Sequence, residues 1–331
     1  MKPISRRDAL KGGCALSATA LFGSGNTFAQ SLPDTARIPV GFPGGGAPDL
    51  VARRLAEQLT GKLAKAVIVD NRPGAGGRIA VDIARQAPAD GTTLLLNPAG
   101  VLTVNPLIYK KLSYDPFKDF TPLSLAATID FGFGVGVAVP AEIKTIAEFA
   151  TWAKANPGKV AYGSPAAGAP PHFVGDLLNR TLSLGMTHAP YRGGGPAMND
   201  LMGGSLTAAV LTLGDMVQNA KAGRLRVLAS SGPARSRFSP TVPTFTEQGV
   251  PGLEQRDWFG MYIAGTPSPE VASRISGLVR AALATPEYSK GLESAAIEAS
   301  SSSPQDLDKL ARADLQRWGP IVSASGFVAE S

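Results

Sequence analysis

Apolar residues recur along this chain in two alternating rhythms. A short apolar run meets the glycines after Val40, and runs at 66–69 and 92–96 read as buried strands, while segments with apolar positions three or four apart read as helices. The pattern predicts a helix over 48–60, where Val51, Leu55 and Leu59 share a face, Pro48 suits its first turn and Gly61 can end it. A second helix should carry Ile79 and Ile83 on one face. Thr145 and Glu148 form a capping box for a third over 145–155, and Phe173, Leu177 and Leu178 give a fourth its core face. Strands are expected at 159–162, 206–213 and 225–229, and helices again from Pro269 to the end, broken at 300–304.

Two β-prone runs, 123–139 and 255–264, exceed an ordinary strand in length or apolar content. Each reads as a strand passing from one domain to another. Strand, glycine turn, helix, strand in repetition predicts an α/β fold with parallel sheet, whose ligands bind beyond the carboxyl ends of the strands. Two crossings imply a second domain, 131–254, inserted into a first made of 32–130 and 255–331, with a ligand cleft between them.

The glycine turns carry the candidate chemistry. They fall at Phe42–Pro48, 71–77, 163–172 and 193–196. Glycine permits positive φ angles, so amide N–H groups at a helix N-terminus can converge on an anion. Nucleotide motifs fail on detail: 44–49, 74–79 and 193–198 each lack the last glycine of a dinucleotide fingerprint, and no Gly-Lys-Ser/Thr exists. No Gly-x-Ser-x-Gly elbow occurs, since Ser164 stands in Gly-Ser-Pro. With two histidines, His172 and His188, and one cysteine, neither a catalytic base nor a metal site emerges, and no cofactor is expected. The two histidines, with Trp258 and Phe259, read as structural, and Asp49 as a helix-start residue.

Composition narrows this further. The 331 residues are 44% hydrophobic and 18% charged, with a formal charge of +6, which suits a folded two-domain protein. Four of the basic residues (Lys2, Arg6, Arg7 and Lys11) stand before a small-residue and apolar stretch ending in Thr27-Phe28-Ala29. Residues 1–29 therefore read as an export signal, and Ser5–Lys11 resembles a twin-arginine motif. Cleavage there would also remove Cys14, leaving no thiol for disulfides or catalysis. The remaining Lys and Arg are scattered, which gives nucleic-acid binding no support.

In order and spacing, many short segments resemble the receptors of tripartite tricarboxylate transporters, the Bug family. They include Phe42-Pro43 with Gly45-Gly46-x-x-Asp49, 71–77, Asp90-Gly91, Asn105-Pro106, Tyr114-Asp115-Pro116, Tyr162-Gly163-Ser164, His188–Gly194, Trp258-Phe259-Gly260 and Arg317-Trp318-Gly319. The resemblance implies a periplasmic-binding-protein fold of type II with two strand crossovers, closing on a small organic carboxylate. It implies a grip from two loops, Phe42, Pro43, Gly44, Gly45, Gly46, Ala47 and Pro48 on one side and Ser164, Gly168, Ala169 and Pro170 on the other. Further contacts are expected from Asn97, Ala99, Phe131, Tyr191, Gly193 and Thr212. Permease subunits are the implied partners, for a monomer in the periplasm. A sensory role beside a kinase, or a phosphate or nucleotide enzyme in the same cleft, stays open at this point. Ala47-Pro48 and Ala169-Pro170 stand where the family commonly has Ser, Thr or Asn. Val210-Leu211-Thr212 stands where many members have an aromatic followed by Asp-Asn. These departures point away from amino acids and toward a less polar carboxylate.

Overall fold

The computed structural model describes residues 32–329, so the expected export signal over 1–29 lies outside them. The first two short runs form a parallel pair. β1 (Thr35–Val40) pairs with β2 (Ala66–Asn71), Ile38 opposite Val69. β3 (Leu94–Pro98) meets β1 at a single bridge, where the Arg37 N–H donates to the Thr92 carbonyl. Two residues on, Pro39 has no N–H to continue that ladder. β1 thus keeps its ladder with β2 and meets β3 at a single bridge.

β4 runs from Phe120 to Val135, longer than most strands. Later come β5 (Ala161–Ser164), β6 (Thr187–Pro190), β7 (Ala208–Thr212), β8 (Arg226–Ser230), β9 (Arg256–Ala264) and the short β10 (Glu298–Ala299). The main sheet has the order β3-β9-β4-β7-β5-β6, with β8 and β10 also on β4. β4 changes partners along its length: Phe120–Asp130 pair with β9, and Phe131–Val135 with β7 and β8. At the change, Asp130 faces Arg256 across the ladder, and their side chains form a paired contact at 3.0 and 3.3 Å. From Pro33 onward the chain is one compact unit.

The glycines of β4, and Gly136 just after it, are sites of close packing. A Cβ on Gly132 or Gly134 would lie 2.9 Å from the Met216 side chain of helix Leu213–Lys221, and one on Gly136 would strike the Leu201 carbonyl. Helix Ile146–Lys154 starts on the expected capping box of Thr145 and Glu148. Helix Arg78–Arg85 departs from expectation. It buries Ala80, Val81 and Ala84 and leaves Ile79 41% and Ile83 37% exposed, because its small residues allow the close approach to the sheet.

Candidate functional site

Two turns leave the carboxyl ends of parallel strands and start 13-residue helices, Ala47–Leu59 after β1 and Pro170–Leu182 after β5. Their backbones follow one plan. Gly45 and Gly168 are left-handed, at φ 87° and 75°. Each is followed by an extended N-cap, Gly46 (φ −83°, ψ 171°) and Ala169 (φ −85°, ψ 158°). The third helical residue then turns its side chain back: Asp49 accepts the Gly45 N–H at 2.9 Å, and His172 Nδ1 accepts the Gly168 N–H at 3.1 Å.

Asp49 is buried at 3% exposure and also accepts from Arg53 Nε at 2.9 Å. Burial alone would raise its pKa, but hydrogen bonds from Arg53, Gly45 and Asn71 outweigh it and hold the carboxyl below its usual range. Asn71 closes the turn by donating to the Phe42 carbonyl and accepting from Arg53. In the second turn, His172 stacks on His188 with ring centroids 3.9 Å apart. His188 Nε2 in turn bonds the Ser164 hydroxyl at 2.8 Å. Burial pushes both imidazoles down, and His188, repelled also by His172, falls to about 3.

Three packing contacts gather the surrounding elements. The Phe42 ring and Val101 both lie against Gly77, with ring and methyl 3.2 and 3.0 Å from where its Cβ would stand. A Cβ on Gly100 would lie 2.6 Å from Pro170, so the start of helix Ala99–Thr103 abuts the second turn directly. One on Gly168 would lie 2.6 Å from Ile108 and 2.9 Å from Phe327. Position and conformation both confine that residue to glycine.

The sequence-derived candidates therefore have different fates. Pro43, Gly44, Gly45 and Gly46 are exposed on the first turn, with Ala47 and Pro48 half-buried behind them. The Gly45 and Gly168 amides are engaged by Asp49 and His172, and Pro48, Pro170 and Pro171 have none to offer. Among the described residues, the amides of Gly44, Gly46, Ala47, Ala166 and Ala167 donate no backbone hydrogen bond. Ser164 is fully buried, its hydroxyl shared between His188 and the Ala166 carbonyl. Tyr191 and Gly193 are stitched to the second turn through their N–H groups, onto the Ser164 and Pro165 carbonyls. The Tyr191 hydroxyl donates to Asp200 at 2.8 Å, and burial with that neighbour pushes it up to about 12.

Thr212 gives its hydroxyl to Asp215. Phe131, opposite Thr212 in the ladder, lies in the core rather than on an open face. Ala99 is likewise buried. Asn97 is fully buried at the end of β3 with neither amide atom hydrogen-bonded, the kind of orphan that a functional pocket retains. Sequence reading left His172, His188, Asp49 and Gly100 outside the site. The usable signal was the parallel between Gly45-Gly46-Ala47-Pro48-Asp49 and Gly168-Ala169-Pro170-Pro171-His172, with a hydrogen-bond acceptor four residues after a glycine in both. Among the described residues no cluster of His, Cys, Asp or Glu could hold a metal ion, and no helix is long and apolar enough to cross a membrane.

A sequence model of the family described as the tripartite tricarboxylate transporter family receptor matches residues 51–327. A Pseudomonas sp. (strain P51) protein named for the tcbD–tcbE intergenic region is 33% identical over 329 residues, covering 96% of this chain and 94% of its own. An R. palustris protein solved with adipate superposes with a TM-score of 0.83 at 28% identity, over 89% of this chain and 98% of that one. The periplasmic binding protein BugD gives 0.81 at 28% identity, over 90% and 99%.

Proposed function

Because the chain belongs to the tripartite tricarboxylate transporter receptor family and has its periplasmic-binding-protein fold, we propose that it captures a small, weakly polar carboxylate outside the cytoplasm and hands it to a membrane permease. The observation that carries this reading is the pair of matched turns. Each starts a helix whose N-terminal amides and partial positive charge favour an anion, and the Gly100–Pro170 contact brings the second turn against the half of the chain that holds the first. Residues 131–254 act as one lobe and 32–130 with 255–331 as the other, hinged where β4 changes partners. Ligand touching both lobes favours the closed arrangement by its differential affinity. The chain performs no bond chemistry on what it binds.

Ala47, Pro48, Ala169 and Pro170 surround the turns with hydrocarbon where a polyhydroxylated acid would need partners. The adipate bound by the R. palustris protein has such a character, two carboxylates on an apolar chain. A thermal-shift and calorimetric panel of adipate, longer diacids and aromatic acids against citrate, aspartate and glutamate tests the reading. Ligand at 100 times its Kd adds about 2.7 kcal/mol of stability, so a true ligand should raise the melting temperature by several degrees. Stabilisation by the polar acids alone would overturn the ligand class, and silence across the panel would overturn the function.

A further inference from the structure

We propose that His172 is a proton-sensitive positioning residue of the second binding turn: neutral Nδ1 holds the Gly168 N–H and fixes the turn, and a proton on that nitrogen releases it. The proposal rests on reading this turn as a ligand contact. Nδ1 accepts a hydrogen bond only through its lone pair, so the resting imidazole carries its hydrogen on Nε2. Protonation places a second N–H against the Gly168 N–H, two donors head to head. Gly168 is held in its left-handed conformation between Ile108 and Phe327, 2.6 and 2.9 Å from where a Cβ would stand.

The surroundings decide how the group responds. His172 is 6% exposed, stacked on His188 of β6 and flanked by the edge of Phe327 and by Phe173. A charge on His172 acts back on His188, helping to hold that ring neutral. Asp176, one turn along the same helix and paired with Arg180 at 2.8 Å, favours the charge on His172. Burial dominates, so protonation sets in below the ordinary imidazole range. In the first turn the same structural post is held by Asp49, which stays ionised over that range because Arg53 and the amides hold it down. Acid therefore loosens one turn and spares the other.

The test uses adipate as probe, with His172→Asn and His172→Leu as variants. Asn carries an acceptor oxygen where Nδ1 stands, as Asp49 does in the first turn, but does not titrate. Wild-type affinity should fall about tenfold more than that of His172→Asn between pH 7.5 and 5, a loss of about 1.4 kcal/mol in binding. The comparison cancels adipate's own protonation. His172→Leu should bind weakly at every pH, with His172→Asn restoring most of the loss. In wild-type protein, the Gly168 amide should shift and lose hydrogen-exchange protection as the His172 ring titrates. An Asn variant with the full wild-type acid response, or a Gly168 amide indifferent to that titration, overturns the proposal. Should adipate bind neither protein at neutral pH, the assigned ligand falls, while the Gly168 amide still decides the role of His172.

Discussion

Three consecutive glycines at 44–46 look interchangeable in the sequence and are not so in the fold. Gly45 alone among them has a positive φ, while Gly46 sits at −83° with no heavy atom nearer than 3.7 Å to where a Cβ would be. Gly45→Ala should therefore cost about 1–2 kcal/mol in urea unfolding and weaken binding, because the strained residue can no longer present its N–H to Asp49. Gly46→Ala should fold normally and bind within a few-fold of wild type. Equal losses in both would mean that Gly45's conformation does not set the turn. Legibility of the site at this scale was uneven. The glycine turns were visible because positive φ leaves a compositional trace. The acceptors behind them were marked only by their shared spacing, four residues after a glycine, because Asp49 and His172 bond backbone N–H groups and their own residue types name no partner.

At the scale of elements, helix and strand positions were legible wherever one face is apolar and large. The helix Ala47–Leu59 and the capping box at Thr145 follow from periodicity and local hydrogen-bond chemistry. The helix Arg78–Arg85 misled because periodicity weighs Ile79 and Ile83 above Ala80 and Ala84, whereas close packing on a sheet selects small residues. The same blindness hid Gly100. Nothing local marks it, yet a methyl there would stand 2.6 Å from the Pro170 ring. Gly100→Val should force the second turn away from helix Ala99–Thr103, with an overpacking cost of about 1–3 kcal/mol and a loss of adipate affinity. Small-angle scattering should show a larger radius of gyration with adipate present than in wild type. Unchanged affinity and radius would place the meeting point of the turns elsewhere.

For the molecule as a whole, β4 ties the two parts of the sheet together while β9 pairs only with β3 and the first part of β4, and the end of β9 nearest the change of partners carries a buried charge problem. Asp257 is fully enclosed, with one carboxylate oxygen unpaired. Its pKa is pushed up to about 7 by burial and then by Asp314, against the opposing pull of Arg317. Asp314 also accepts from Thr103, so this group links the return strand, the last helix Pro304–Ser325 and helix Ala99–Thr103. A carboxyl whose folded pKa lies above its unfolded value stabilises the fold fully below the unfolded value, here 3.8, and loses that contribution as pH rises from there through the folded value. The buried imidazoles run the other way: His172 and His188, with depressed values, stabilise above the ordinary imidazole range and lose it as pH falls, toward about 3 for His188. Wild-type stability should thus peak between these opposing slopes. Asp257→Asn, which mimics the protonated acid in shape, should abolish the alkaline decline alone. In chemical denaturation at pH 3.5, 5.5 and 8 the variant should match wild type at pH 3.5 and exceed it increasingly as pH rises to about 7, with the difference level above that. A difference independent of pH would show that Asp257 is ionised in the folded chain, with Arg317 able to carry both carboxylates.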